Sequence, residues 1–472
     1  MITVSVKQLH RVVGGRIHAD EDAKKREVQG LTWDSREVKP GNIFLALQGE
    51  RVDGNDFIPQ AVYAGAGAVI CAKEPDDAVL ALADEFVCPI IWVSDTQRSL
   101  NNLAKYWRSC LHAIVIGVTG STGKTSTKNY LASVLSQRFK VCATAGNHNN
   151  ELGVPATILE ADKDCEVLVV EMGMRGLLQI QKLCRFVQPT LGVVTNVGVS
   201  HMELLGSREN IARAKSELIA ALPPAGVAFV NADNDMTDSL LEHANVSSKS
   251  IEVKRYGTCE DADVRAVNIA ANEDACMGFD LQLKDASVHV QLSQPGKHNV
   301  ENALAAAAVA QYLGVDADKI AIGLNELKPS NMRMETYDAP AGFKLINDAY
   351  NANPDSMKAS LDVLKNLKCE GKRYAVLGDM GELGKDEKDM HKQVGEVAAA
   401  SSLDGLICVG TLARDIADGA KNANMSAALI KTFDTVEQAT IYLKDALQKD
   451  DIVLLKASRF MGLEAIAKEL LK

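Results

Sequence analysis

Residues 113–135, AIVIGVTGSTGKTSTKNYLASVL, run from a continuous apolar stretch through a glycine-bounded turn into a helical pattern. A buried strand that passes directly into a helix is the first half of a crossover unit, and such units build parallel sheets covered by helices. The same alternation recurs along the chain. Further apolar strand candidates lie at 167–171 and 191–195, and before them come NIFLAL (42–47), AVICA (68–72) and IIWVS (90–94). After Pro329 follow FKLIN, YAVLG, LICVG and DIVLLKAS. The expected class is therefore α/β with doubly wound sheets. At 472 residues the chain exceeds what one core normally supports. Composition shifts divide it into three blocks, at 1–97, 98–328 and 329–472. In the middle block, Phe279, Leu281 and Leu283, then Val288, Val290 and Leu292, alternate with polar residues, which predicts a small antiparallel patch beside the main sheet. No internal repeat or low-complexity tract interrupts this pattern.

The turn in the opening stretch has a chemical reading. Tyr130, Leu131, Val134, Leu135 and Phe139 share one face of the following helix, so Gly120, Ser121, Thr122 and Gly123 sit between strand and helix. In that position backbone N–H groups and the helix N-terminus cradle phosphate oxygens. Lys124 neutralises the outer phosphates, and Thr125, followed by Ser126, can reach a magnesium ion. The strict form of this loop has glycine where this chain has Val118. Nucleotide binding follows, but the loop alone leaves hydrolysis, kinase and ligase chemistry open.

Charge and cysteine usage exclude some classes. A net charge of −11 is wrong for a nucleic-acid binder, though not for a local anion pocket. The ten cysteines form no Cys-x-x-Cys pair, so no zinc knuckle or redox pair is written here, and the pattern suits a reducing compartment. The start, MITVSVKQLHRVVGG, is too polar for a signal peptide, and no apolar run reaches membrane-spanning length. A soluble, cytoplasmic protein is expected.

Three residues outside the loop stand out. Glu171 ends the strand EVLVVE and lands on the sheet edge of the loop, where a carboxylate either holds magnesium or faces solvent. His201 follows a neighbouring strand on TNVGVSH and gains meaning only from what surrounds it. Lys215 is the odd one. With Ile211, Leu218 and Leu222 it falls on one apolar helical stripe, where an ammonium is costly and its pKa is depressed. Such a lysine snorkels out, pairs with an acid such as Glu171, or stays a neutral amine that can take up CO₂ as a carbamate.

TGSTGKTS, GNHNNELGVPATIL (146–159), TNVGVSHMELLGSRENIARAKSEL (195–218), NDAYNANPDSM (347–357) and LGDMGELG (377–384) together resemble the Mur ligases. Within them the chain is similar to the MurF type, which joins D-alanyl-D-alanine to UDP-N-acetylmuramoyl-tripeptide. The N-terminal DSREVKPGNIFLALQGERVDGNDFI resembles the UDP-binding entry of the same family, so the likeness runs through all three blocks. The family loop, Thr-Gly-x-x-Gly-Lys-Thr, accounts for Val118.

The resemblance implies a UDP-substrate domain, a central ATPase, and a Rossmann-like third domain that closes over ATP and brings in the dipeptide. It implies an acyl phosphate formed from ATP, then amide formation with release of ADP and phosphate. It gives Thr125 and Glu171 to one Mg²⁺, and His201 with a carbamylated Lys215 to a second. Arg333 would reach the ATP phosphates, Asp348 and Asn351 the nucleoside, and Asn302 the adenine side. Ser35, Arg36, Asn147, Asn149 and Asn353 become candidates for substrate contacts. Lys456 and Ser458, in KASR where the family shows Lys-Gly-Ser-Arg, are the dipeptide candidates. No nucleic-acid or membrane partner is expected, and nothing demands an oligomer. A related amide ligase with another substrate, such as a tripeptide-forming or folylpolyglutamate-synthase-like enzyme, is one rival. Asp-Asn-Pro-Arg of the diaminopimelate-adding branch is absent. A non-catalytic nucleotide switch is the other, and it has no use for Glu171, His201 and Lys215 on one edge. GDMGELG spaces its glycines wrongly for a dinucleotide site.

Overall fold

Three sheets carry the chain, in a computed structural model that describes residues 1–49, 52–327 and 331–472. The expected boundary at 328/329 falls outside the described residues. The first sheet has five strands, in the order Arg16–His18, Ile90–Trp92, Ala68–Cys71, Ile43–Leu45 and Leu31–Thr32. All its pairings are parallel except that of the Arg16–His18 edge. A ribbon of Thr3–Ser5 with Glu27–Gln29 flanks it.

Helix Thr96–Cys110 leads onward, so the expected boundary at 97 lies in its first turn. One face, including Leu100, Leu103 and Trp107, is buried against helices Val6–Val13, Gly153–Glu160 and Gln179–Val187. The Trp107 indole N–H donates to the Ala161 carbonyl, which satisfies the one polar atom of a buried ring. One continuous core thus joins the first and second blocks.

The central sheet has nine strands. Strand Ile114–Thr119 lies between Val167–Glu171 and Leu191–Val194, parallel to both. From it the chain builds Val141–Ala143 and Val167–Glu171 on one side, then Leu191–Val194, Val227–Asn231 and Glu252–Gly257 on the other. That reversal is the place where open α/β sheets bind ligands, and the glycine loop sits on it. The alternating 277–292 segment forms strands Cys276–Gln282 and Ser287–Pro295, antiparallel to each other and joined to the main sheet through Val264–Ala271. Phe279, Leu281, Val290 and Leu292 face the core, whereas Leu283 and Val288 are only half-buried.

The third sheet orders its strands Glu335–Asp338, Lys344–Asn347, Ile452–Lys456, Arg373–Gly378, Gly405–Val409 and Ile430–Phe433. Only the first pairing is antiparallel. Ile452–Lys456, late in the chain, is inserted at the centre between two strands that end at Asn347 and Gly378. Among the described residues no helix is long and apolar enough to cross a membrane.

Candidate active site

The glycine loop is fixed by close approach. A Cβ on Gly120 would lie 1.8 Å from Thr195 Oγ1, and one on Gly123, at φ +77°, would lie 2.2 Å from Asn302 Oδ1. The helix that follows, Lys124–Leu135, has no side-chain cap, so its first N–H groups are left for a ligand. The cradle is narrower than the sequence implies. The Ser121 N–H donates to the Asn196 carbonyl and the Thr122 N–H to Asn196 Oδ1, which removes both from anion binding. Lys124 folds over the loop and donates to the carbonyls of Gly120 at 2.8 Å and Ser121 at 3.3 Å. Burial lowers its pKa, opposed by the charge of Glu171. Arg333 donates to Thr125 Oγ1 at 3.0 Å and stacks 4.4 Å over the Tyr350 ring.

Register delivers Glu171 to this edge: it pairs with Val118, one residue from the strand end. Its side chain is 1 % exposed. Oε1 accepts from Asn149 Nδ2 at 2.7 Å, while Oε2 is buried with no hydrogen-bond partner. A buried, half-satisfied carboxylate in a polar cavity is a place for a cation. Asn149, expected on the substrate side, is here engaged with Glu171. Lys128 secures the same turn by donating to the carbonyls of Thr144 and Gly146.

His201 occupies a left-handed backbone position, φ +64°, ahead of helix Met202–Leu205. Its Nδ1 lies 2.5 Å from Glu382 Oε2, and an ionised carboxylate only accepts, so Nδ1 carries the proton. Burial lowers the His201 pKa, and the Glu382 charge opposes that. Lys215, on helix Arg208–Ala220, is 1 % exposed and makes no hydrogen bond or ion pair with any described residue. Both bland expectations fail: it neither snorkels out nor pairs with Glu171. Burial, aided by the charge of Lys124, pushes its pKa well below the usual lysine value.

The third domain supplies the opposite wall. Asp348 accepts from Lys456 Nζ at 2.5 Å and from Ser360 Oγ at 2.6 Å. The Lys456 ammonium, expected on the dipeptide, is thus engaged with Asp348, and it also donates to the Asn351 carbonyl. Asn353 caps helix Pro354–Asn366 and reaches across to Ser200 Oγ at 2.8 Å. Asn302 accepts from Thr127 and donates to Asn299.

One cavity of about 1470 Å³ gathers most of the expected residues: the loop from Gly120 to Ser126, Asn147, Asn149, Glu171, His201, Lys215, Asn302, Arg333, Asp348, Asn351, Asn353 and Lys456. Three do not line it. Ser35 is buried on Gln60, Arg36 is exposed and paired with Asp34, and Ser458 is buried, accepting from the Gly381 N–H. Sequence reading missed Asn299, which lines the cavity three residues before Asn302, and Lys128, one turn after Lys124. Both lie at helical spacing from residues already singled out, a signal that was available. Asn196, Tyr350 and Glu382 lie inside the quoted motifs TNVGVSH, NDAYNANPDSM and LGDMGELG, but nothing in their spacing singled them out.

Chemistry of the donors decides what metal fits. Thr125 and Glu171 offer hard oxygen atoms, and the Thr125 hydroxyl keeps a second lone pair beside its bond to Arg333. Among the described residues no three His, Cys, Asp or Glu side chains converge. A divalent ion here would therefore rely on this pair together with phosphate oxygens.

Comparisons with known proteins agree along the whole chain. Residues 27–108 match the model of the Mur ligase family, catalytic domain; residues 118–310 match the Mur ligase middle domain; residues 332–459 match the Mur ligase, glutamate ligase domain. The UDP-N-acetylmuramoyl-tripeptide–D-alanyl-D-alanine ligase of Bacillus subtilis is 36 % identical over 472 residues, covering 100 % of this chain and 99 % of its own. The chain belongs to the Mur ligase family. Among solved structures, MurF from Acinetobacter baumannii superposes with a TM-score of 0.86 at 32 % identity, over 100 % of this chain and 99 % of that one. MurF ligase from Thermotoga maritima, solved in complex with ADP, gives 0.77 at 28 % identity, over 94 % and 97 %. In this Mur ligase the middle-domain match contains the glycine loop, Glu171, His201, Lys215 and Asn302, and the glutamate-ligase match contains Arg333, Asp348, Asn351, Asn353, Lys456 and Ser458.

Proposed function

We infer that this Mur ligase is the ATP-dependent enzyme that joins D-alanyl-D-alanine to UDP-N-acetylmuramoyl-tripeptide, giving the UDP-muramoyl-pentapeptide precursor of peptidoglycan, ADP and phosphate. The observation that carries the reading is convergence: one cavity joins a phosphate loop, an unsatisfied carboxylate and an unpaired buried lysine to a wall from a second domain. A nucleotide switch needs only the first of these. The full-length relatives bear the name of this reaction.

The terminal carboxylate of the tripeptide attacks the γ-phosphorus of ATP, and the bond to ADP breaks. The acyl phosphate then meets the dipeptide amine, and the tetrahedral adduct expels phosphate as the amide forms. Each residue has work in this sequence. The N-terminal amides of helix Lys124–Leu135 and the Lys124 ammonium offset charge on the transferring phosphoryl group. For Lys124 this means exchanging the carbonyls of Gly120 and Ser121 for phosphate oxygens. Arg333, held flat by Tyr350, brings a second positive charge from the opposite domain. Thr125 and Glu171 would hold one Mg²⁺, and His201 with a carbamate on Lys215 a second; bound there, the ions supply Lewis-acid stabilisation of phosphate and acyl oxygens. The carbamate would convert Lys215 from a depressed base into an anionic oxygen donor. Domains at 1–97, 98–328 and 329–472 then hold the UDP end, ATP and dipeptide respectively, in the cytoplasm and in a monomer.

Phosphate release with ATP and Mg²⁺ tests this, adding UDP-muramoyl-tripeptide and D-alanyl-D-alanine separately and then together. Release that requires both, with the amide-linked pentapeptide as product, is expected. Turnover with neither, or only with another acid and amine, would remove the substrate assignment.

A further inference from the structure

The loop Asp379–Leu383 follows the third-sheet strand Arg373–Gly378, and hydrogen bonds to its neighbours fix its backbone. Asp379 accepts from the N–H groups of Thr411 and Ala413, and its carbonyl accepts from Ser458. The Met380 N–H donates to Nε2 of the fully buried His391, and the Gly381 N–H to Ser458 Oγ. On this frame Glu382 sits at φ +61°, a conformation that a non-glycine residue keeps only when its surroundings enforce it.

Among the described residues, the hydrogen-bond and ion-pair partners of Glu382 lie in the central domain. Its carboxylate meets His201 Nδ1 at 2.5 Å and Arg175 at 3.3 Å, and its carbonyl accepts from the Glu203 N–H at 3.3 Å. Gly384 at φ +71° lies so close that a Cβ there would be 2.9 Å from Glu203 Cα. The neighbouring residue, Ser200, is gripped from the same domain by Asn353. The dipeptide Ser200–His201 is therefore held by two separate loops across the domain boundary.

We propose that Glu382 is a positioning residue for the ligation. By accepting the Nδ1 proton of His201 from the opposite domain, it fixes the tautomer and the ring plane, leaving Nε2 the unprotonated nitrogen of a ring that lines the cavity. The geometry of His201 is then conditional on docking of the third domain, so phosphoryl transfer waits for the domain that brings the amine. An acyl phosphate made in an undocked enzyme would be exposed to water; this arrangement ties its formation to closure. The inference rests on the ligase reading above.

Glu382→Ala and Glu382→Gln in the full-length enzyme test it, with kcat, the Mg²⁺ concentration for half-maximal rate, the ADP dissociation constant and thermal unfolding measured on each. Loss of such an orienting partner typically lowers activity about 10- to 100-fold. Glu382→Ala is expected to show that loss in kcat, with a raised Mg²⁺ requirement, ADP affinity within about twofold of wild type and unchanged melting. Glu382→Gln keeps an oxygen that accepts from Nδ1–H and is expected to recover most of the rate. The proposal is overturned if Glu382→Ala turns over normally, if Glu382→Gln is equally impaired, or if ADP affinity or melting falls in parallel with kcat. Failure of the wild-type enzyme to make pentapeptide would instead remove the ligase reading.

Discussion

Lys215 is the residue whose environment makes least sense as packing. A lysine with 1 % exposure and no acceptor among the described residues is costly in a helix stripe flanked by Ile211 and Leu218. In the unfolded chain the same lysine holds its proton up to its ordinary 10.5, so through the window below that value the unfolded state binds more protons than the native one. Stability in carbon-dioxide-free buffer should therefore rise with pH across that window. Lys215→Met, lacking the titrating group, should flatten the rise and melt higher near neutral pH. Thermal unfolding of both proteins from about pH 7 to about pH 10 checks this, and parallel profiles would sink it. The same change, or Lys215→Ala, should cut ligation by about 100-fold, since it removes the nitrogen on which the proposed carbamate would form. A mutant with normal turnover would refute the role. Gly123 makes a second residue-scale prediction. Alanine there must place its Cβ 2.2 Å from Asn302 Oδ1 in a left-handed conformation, so Gly123→Ala should abolish ADP binding measured by calorimetry.

Among elements, two helices of the third domain approach backbone to backbone. Gly395 on Glu387–Ala399 and Gly419 on Ala413–Asn422 would each put a Cβ within 2.1 Å of a carbonyl on the other helix. Gly395→Ala should force them apart at about 1–3 kcal/mol, seen as a lower denaturation midpoint, while ADP binding persists. Legibility in the sequence divides along similar lines. The strand–loop–helix at 113–135, the Lys215 stripe and the antiparallel 277–292 patch were readable because each is a local period. The Arg333–Thr125 and His201–Glu382 bonds were not, because their partners lie 208 and 181 residues apart and meet only when two domains dock. Asn149 and Lys456 show the other limit. Motif position put both on the substrate side, and both line the cavity, but their hydrogen bonds to Glu171 and Asp348 could not be read from spacing.

At the scale of the molecule, the cavity is shared between domains joined by contacts that include Arg333 to Thr125, Asn353 to Ser200, Glu382 to His201 and Arg175, Lys368 to Glu273, and Ala275 packed into the third domain's core. Relative motion is the ordinary expectation for domains joined through a largely polar boundary. The radius of gyration from small-angle scattering should fall when nucleotide and UDP-muramoyl-tripeptide are added, and unchanged dimensions would count against closure as part of the cycle.

The central placement of strand Ile452–Lys456 reaches beyond catalysis. Until it arrives, Lys344–Asn347 and Arg373–Gly378 have no partner between them, and Asp348 has no Lys456 to neutralise it. While a ribosome is still adding the residues between Gly378 and Ile452, the first two domains can close their cores, but the third remains two unjoined half-sheets with open edges. Nascent chains halted before residue 452 should accordingly be protease-sensitive after 331 and protected before 327. Assembly of the third domain is thereby deferred until residue 456 has been made, and a chain ended before it yields a nucleotide pocket with one wall missing.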